Sequence, residues 1–227
     1  MSSTQTALII GASRGIGLGL VKQLQAAGWQ VTATVRNPQG AGDLAALEGV
    51  EVKTLDLDSV AGLETLAGEL DGRAFDLILV NAGVYGPAHQ SAVQATEAEI
   101  AQLFLTNAVA PIRLAQRLKS NLLPGGTLAF MSSILGSVAG NDAGGLALYR
   151  ASKAALNTLT RSLVAEWGDA SPTVLSLHPG WVKTDMGGES AEIDVATSVQ
   201  GLVRQVEAYA GRGGHHYIDY QGQTIPW

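Results

Sequence analysis

Short runs of almost uninterrupted apolar, β-branched residues alternate along this chain with longer stretches of helical period. That alternation limits the fold more than any other feature. Thr6–Ile10, Val31–Val35, Val50–Leu55, Asp76–Val80, Thr127–Met131 and Thr173–Leu177 read as strands, with Tyr217–Ile218 a short last one. Ile16–Ala27, Val60–Leu70, Glu97–Lys119, Leu146–Trp167 and Val195–Tyr209 read as the helices. Strands without polar alternation are buried on both faces, which calls for helices above and below a parallel sheet. Right-handed crossovers then leave a doubly wound α/β sheet as the economical topology. No Pro/Ser linker, charge block or internal repeat divides the chain, so residues 1–227 are expected to form one domain. The glycine-rich stretches Gly136–Gly145 and Gly211–Gly214 read as loops between elements.

Composition narrows the function classes. A chain that is 46% hydrophobic and 15% charged has the makings of a large core, and a net charge of −6 gives no footing for nucleic acid. The absence of cysteine rules out disulfides, thiolate zinc sites and thiol catalysis, and it suits a reducing cytoplasm. Met1-Ser2-Ser3-Thr4-Gln5 lacks the charged and apolar regions of a secretory signal. The apolar runs near residues 6–12 and 76–84 are too short to span a bilayer. A cytoplasmic protein without a membrane partner is expected.

The first strand runs directly into Gly11, Ala12, Ser13, Arg14, Gly15, Ile16 and Gly17, and a helix follows. A turn of this kind needs small residues where the backbone bends sharply and approaches a pyrophosphate, which the free N–H groups of the new helix then face. The spacing, G-x-x-x-G-x-G, means little alone in a chain with 28 glycines. Its place between the first strand and the first helix is what makes it a dinucleotide site. The second strand ends Thr34-Val35-Arg36-Asn37, without the carboxylate that would bind a ribose 2′-OH and repel a 2′-phosphate. Arg36, with Arg14 in the glycine turn, offers guanidinium forks for that phosphate, which favours NADP(H) over NAD(H). After the third strand, Asp56 is placed to accept from an adenine amino group beside Leu57, and Asp58 reads as the N-cap of the next helix. After the fourth, Asn81, Ala82 and Gly83 leave room for a ligand outside the carboxyl ends of the sheet.

Tyr149 and Lys153 stand four apart at the start of a helix and so share one face. Taken in order, the glycine turn, Asn81-Ala82-Gly83, Asn107, Ser132-Ser133, Tyr149-x-x-x-Lys153 and Pro179-Gly180 resemble the short-chain dehydrogenase/reductase family over almost the whole chain. The resemblance implies strand order 3-2-1-4-5-6-7 and a catalytic group of Asn107, one of the two serines, Tyr149 and Lys153. Ser133, followed by Ile134-Leu135-Gly136, is the serine it selects, with Ser132 bonded to backbone near Asn107 or Tyr149. It also implies that Pro179, Gly180, the Val182 backbone and Thr184 meet the nicotinamide carboxamide, and that residues 185–195 form a short substrate lid. No metal is needed, and the histidines at 89, 178, 215 and 216 show no ligand spacing, with His215-His216 reading as loop surface.

A phenol with a pKa near 10 is a poor acid or base at neutral pH unless its anion is stabilised. Lys153 offers the positive charge, the serine polarises a carbonyl oxygen, and Asn107 positions a water that feeds protons to the lysine. The expected activity is reduction of a ketone or aldehyde by NADPH. An NAD-dependent alcohol dehydrogenase and a cofactor-binding signalling protein without turnover stand as alternatives.

Ile10 and Val80 depart from the family, which has threonine and asparagine there, and suggest a polar contact exchanged for an apolar one between neighbouring strands. The insert Gly140–Gly145, the run at 132–137 and the final Ile225-Pro226-Trp227 look most like small sniffer-type carbonyl reductases and C-factor-like proteins. The helix face of Ala151, Ala154, Ala155, Leu159 and Leu163 is expected to pair copies of the chain into a homo-oligomer.

Overall fold

The computed structural model describes residues 4–168 and 171–227; Met1, Ser2 and Ser3 of the segment read for a leader lie outside them. The elements in chain order are β1 (Thr6–Ile10), α1 (Gly15–Ala26), β2 (Gln30–Val35), α2 (Gly42–Ala45), β3 (Val50–Thr54), α3 (Val60–Glu69) and β4 (Phe75–Val80). There follow α4 (Glu97–Phe104), α5 (Ala110–Arg117), β5 (Leu122–Met131), α6 (Ala147–Trp167), β6 (Thr173–His178), α7 (Val195–Tyr209) and β7 (His215–Asp219). The seven strands form one parallel sheet in the order β3-β2-β1-β4-β5-β6-β7.

Each face of the sheet has its own core. Leu20, Val21 and Leu24 of α1 and Val199, Leu202 and Val206 of α7 pack on Ile9, Leu79 and Leu177. On the other face, Leu63 and Leu66 of α3, Leu114 of α5 and Leu156 and Leu163 of α6 pack on Leu8, Ile78 and Phe130. The strand order reverses between β1 and β4, and the carboxyl ends on either side of that reversal open a crevice where this topology binds ligands. Ile10 and Val80 are direct partners in the β1–β4 register, and both are buried. Two apolar side chains thus close the seam at the two departures from the family pattern.

Four expectations need correction. The helix read as continuous over 97–119 is interrupted by a π turn at Leu105–Val109. Pro111 has no N–H to return to the Asn107 carbonyl four positions back, so a regular α-helix cannot run through this stretch. Asp58 does not cap α3: Ser59 does, its hydroxyl accepting from the Gly62 N–H at 3.0 Å. The Asp58 carboxylate instead accepts from Thr106 at 2.7 Å and Gln102 at 2.6 Å, joining β3's end to α4 and the π turn. His215 and His216 are not loop surface but the first residues of β7, paired with Val174 and Leu175. Finally, Leu163 is buried against the sheet, so it cannot belong to a face shared with another copy.

Candidate active site

The crevice is a cleft of about 550 Å³ running along the carboxyl ends of the strands. At one end lies the glycine turn. Gly11 has φ +85°, and a Cβ there would sit 2.7 Å from the Ala82 Cβ, so only glycine permits β1 to turn against β4. A Cβ on Gly17 would strike the Gly11 carbonyl, which keeps α1 hard against the turn. Two neighbours fix the turn: the Thr34 hydroxyl accepts from the Gly11 N–H at 3.0 Å, and the Asn81 amide donates to the Gly11 carbonyl at 2.7 Å.

Gly11, Ser13, Arg14, Gly15 and Ile16 all face this end of the cleft, with Arg36, Asp56 and Leu57 beside them. Arg14 pairs with Asp185 at 3.1 Å across the cleft mouth, both side chains mostly exposed. Such a pair is worth well under about 1 kcal/mol, so a better anion can displace it. Asn81, Ala82 and Gly83 form the middle of the wall, and Tyr149, Lys153, Pro179 and Thr184 the far end. Gly17, Asn107, Ser133, Gly180 and Val182 are not on the wall. Val182 is buried, and it bridges to Ile193 in a parallel pair that ties off the 182–193 loop. Asp185 and Met186 carry that loop into the cleft.

At the far end burial dominates the electrostatics. Lys153 is 4% exposed, and its ammonium donates to the Met131 carbonyl at 2.8 Å. Burial brings its pKa down to about 8. Burial, with Tyr85 and Tyr217 adding to it, pushes the Tyr149 phenol up to about 12. With the phenol raised this far, Tyr149 stays protonated at neutral pH, an acid and not a base.

Asn107 lies in the π turn, where its side chain accepts from the Val84 N–H and donates to the Val84 carbonyl, both at 2.8 Å. It also donates to the Ser152 hydroxyl, which donates to the Tyr149 carbonyl. This chain links the 83–84 loop to the first turn of α6. A Cβ on Gly83 would lie 3.2 Å from the Asn107 carbonyl oxygen of the side chain and 3.5 Å from the Lys153 ammonium, so glycine there leaves the two groups side by side.

The two serines have different partners. Ser132 lines the cleft, but its hydroxyl donates to the Asn157 side chain at 2.8 Å, not to backbone near Asn107 or Tyr149 as expected. The Ser133 hydroxyl accepts from the Leu135 N–H at 3.2 Å and has its own hydrogen free of any protein acceptor among the described residues. Ser133 is the serine with a proton to share.

Sequence reasoning passed over Gln90 and Tyr85. Gln90 sits at φ +52°, buried, its amide donating to the Tyr85 and Pro87 carbonyls while its carbonyl accepts from the Tyr149 N–H at 2.8 Å. It caps α6 from a distant loop, and the Tyr85 ring stacks on Tyr149 at 5.6 Å between centroids. No local spacing marks a contact made across 59 residues.

The sequence model of the family described as short chain dehydrogenase matches residues 5–194. A solved carbonyl reductase from Pseudomonas aeruginosa in complex with NADP is 45% identical and superposes with a TM-score of 0.92 over 99% of this chain and 100% of that one. The carbonyl reductase Sniffer of Drosophila melanogaster is 32% identical, with a TM-score of 0.89 over 99% of this chain and 100% of that one. The C-signal protein of Myxococcus xanthus is 36% identical over 154 residues, 67% of this chain and 92% of its own. Among the described residues no helix is long and apolar enough to cross a membrane.

Proposed function

Because the chain belongs to the short-chain dehydrogenase family, we propose that it reduces the carbonyl of a small ketone or aldehyde to the alcohol with NADPH. It is an NADP(H)-linked oxidoreductase of the carbonyl/alcohol class. One observation carries the reading: a single cleft has the glycine turn, Arg14 and Arg36 at one end and Tyr149 with Lys153 at the other.

The residues present fit the cofactor. The turn around Gly11 and Gly17 has no room for side chains, so backbone N–H groups and the α1 N-terminus face the phosphates. β2 ends at Val35 without an acid, and Arg36 stands next to it for the 2′-phosphate, with Arg14 as a second cation. Asp56 and Leu57 would take the adenine, Asn81, Ala82 and Gly83 the centre, and Pro179 and Thr184 the carboxamide end, with Gly180 and the buried Val182 shaping the backbone behind them. When bound, NADPH supplies the hydride.

The chain's own groups do the rest. Ser133 donates to the carbonyl oxygen and holds it, while Tyr149, kept neutral by burial, gives that oxygen its proton. Lys153 would hold the nicotinamide ribose, and its positive charge would lower the cost of the phenolate as it forms. Asn107 holds the water route by which a proton returns. The loop over 185–195 covers the substrate side, and its polar, glycine-rich residues suit small substrates.

The protein works in the cytoplasm, as its lack of cysteine suits. Copies pair through the face of α6 that Ala151, Ala154, Ala155 and Leu159 leave accessible. The test is NADPH oxidation by the purified protein against a panel of ketones and aldehydes, with NADPH binding measured alongside. Binding without turnover on any member would favour the signalling reading.

A further inference from the structure

Behind Ser133 lies a buried polar group that the mechanism above does not use. Tyr217, in the middle of β7, is 2% exposed, and its hydroxyl donates to the Ser133 backbone carbonyl. The residues are 84 apart in sequence. From the same side, Asn157 of α6 accepts from the Ser132 hydroxyl at 2.8 Å and donates to the Gly136 carbonyl at 3.5 Å. The strand end 132–136 is therefore held at three points by side chains of β7 and α6.

The chain's last residue backs the tyrosine. The Trp227 ring stacks on Tyr217 at 5.0 Å between centroids, and its carbonyl accepts from the Ala139 N–H at 3.0 Å. The Ile225 N–H donates to the Tyr217 carbonyl, which closes the C-terminal segment over β7. Ser133 itself is extended, at φ −160° and ψ 149°, and among the described residues its hydroxyl is bonded by the Leu135 N–H alone. A carbonyl fixed at one end of the peptide unit and an N–H fixed two residues on leave the serine little freedom to rotate.

We propose that Tyr217 is a positioning residue for carbonyl reduction, which sets the orientation of the Ser133 hydroxyl by gripping its backbone carbonyl. This rests on the role given to Ser133 above. The alternative is a plain core tyrosine whose bond contributes stability and nothing to chemistry. Precise placement matters because a small displacement of a catalytic group costs rate far out of proportion to the energy of the contact that holds it. Burial pushes the Tyr217 phenol up to about 12, so it donates at every working pH.

The experiment is a double-mutant cycle on the full-length protein, with kcat, carbonyl KM and NADPH Kd measured for Ser133→Ala, Tyr217→Phe and the double variant. Phenylalanine keeps the ring and its stack on Trp227. Tyr217→Phe is expected to lower kcat on the order of 10-fold with NADPH Kd unchanged, since the site is displaced and not removed. In the Ser133→Ala background the same change is expected to cost nothing further in kcat. Multiplying losses, or a Tyr217→Phe enzyme with wild-type kcat, would overturn the proposal. If Ser133→Ala keeps its rate, the role of Ser133 itself is wrong. Should Tyr217→Phe fail to fold, Trp227→Ala is the second variant. It releases the stack from a half-exposed terminal position and must give a smaller kcat loss that also vanishes without the Ser133 hydroxyl.

Discussion

The Lys153 ammonium lies 5.7 Å from the centre of the Tyr149 ring and donates to the Met131 carbonyl, so the two residues share a wall of the cleft without bonding each other. Each has a pKa moved against its charged form, down to about 8 for the lysine and up to about 12 for the phenol. A buried lysine of this kind is a cost to the fold that function retains. Its folded pKa is below the unfolded 10.5, so the unfolded chain binds more protons between about pH 8 and 10.5, and stability rises with pH across that window. Below pH 8 the cost is fully present, at about 3 kcal/mol as an upper bound. Lys153→Met should therefore lose turnover and cofactor affinity yet melt above the wild type at pH 7. A lower melting temperature for the variant would show that the bond to Met131 outweighs the desolvation.

Tyr149→Phe isolates proton transfer. The ring and its stack on Tyr85 remain, NADPH still binds, and carbonyl reduction should fall by about 10²–10⁴-fold. A variant that keeps more than about a tenth of the wild-type rate would contradict general acid catalysis at this position.

Arg36 tests the cofactor choice. Arg36→Asp replaces an attraction to the 2′-phosphate with a repulsion, and NADPH should bind weaker by several kcal/mol while NADH changes far less. Arg14→Ala should give a smaller loss, because Arg14 must first leave Asp185. Equal losses for both cofactors in a binding titration would assign Arg36 to loop support.

Much of this site is written in short spacings. Tyr149 and Lys153 are one helical turn apart, and the glycine turn has a strand before it and a helix after it, so local periodicity places both on one sheet edge. What sequence reasoning missed depends on contacts between distant segments. Gln90 reaches Tyr149, Tyr217 reaches Ser133, and Asp58 leaves its cap position for Thr106, each settled by tertiary packing. The apolar pattern marks β7 only from Tyr217, two residues past its start, because His215-His216 lacks the pattern of a strand. The Ser176 hydroxyl, 2.9 Å from His215 Nε2, lets the polar ring stay in the sheet.

The serine pair gives the next prediction. Ser133→Ala should cost on the order of 10²–10³-fold in rate with NADPH affinity little changed, since it removes one donor to the developing oxyanion. Ser132→Ala leaves Asn157 without its donor in a buried setting, so it should lower thermal stability more and rate less. If the two variants exchange these effects, the catalytic serine is Ser132.

The last prediction concerns acid. His178 and His215 face the α6 side of the sheet, each with a buried Nδ1 that has no hydrogen-bond partner among the described residues. Burial lowers both to about 4; the Asp219 charge works against this at His178, while Arg161 and His216 add to it at His215. In the unfolded chain both titrate near 6.5. Between pH 6.5 and 4 the unfolded state therefore binds more protons than the folded one, and stability falls as pH falls through that window. Above pH 6.5 neither histidine contributes a slope. The loss is at most about 3 kcal/mol for each, which is a large share of the stability of a domain. His215→Gln can keep a partner for Ser176 and removes one titration, so urea midpoints measured from pH 7.5 to 4.5 should fall less steeply in the variant than in the wild type. Parallel curves would mean that His215 is protonated within the fold, with the Trp227 ring, 4.7 Å away, carrying its charge.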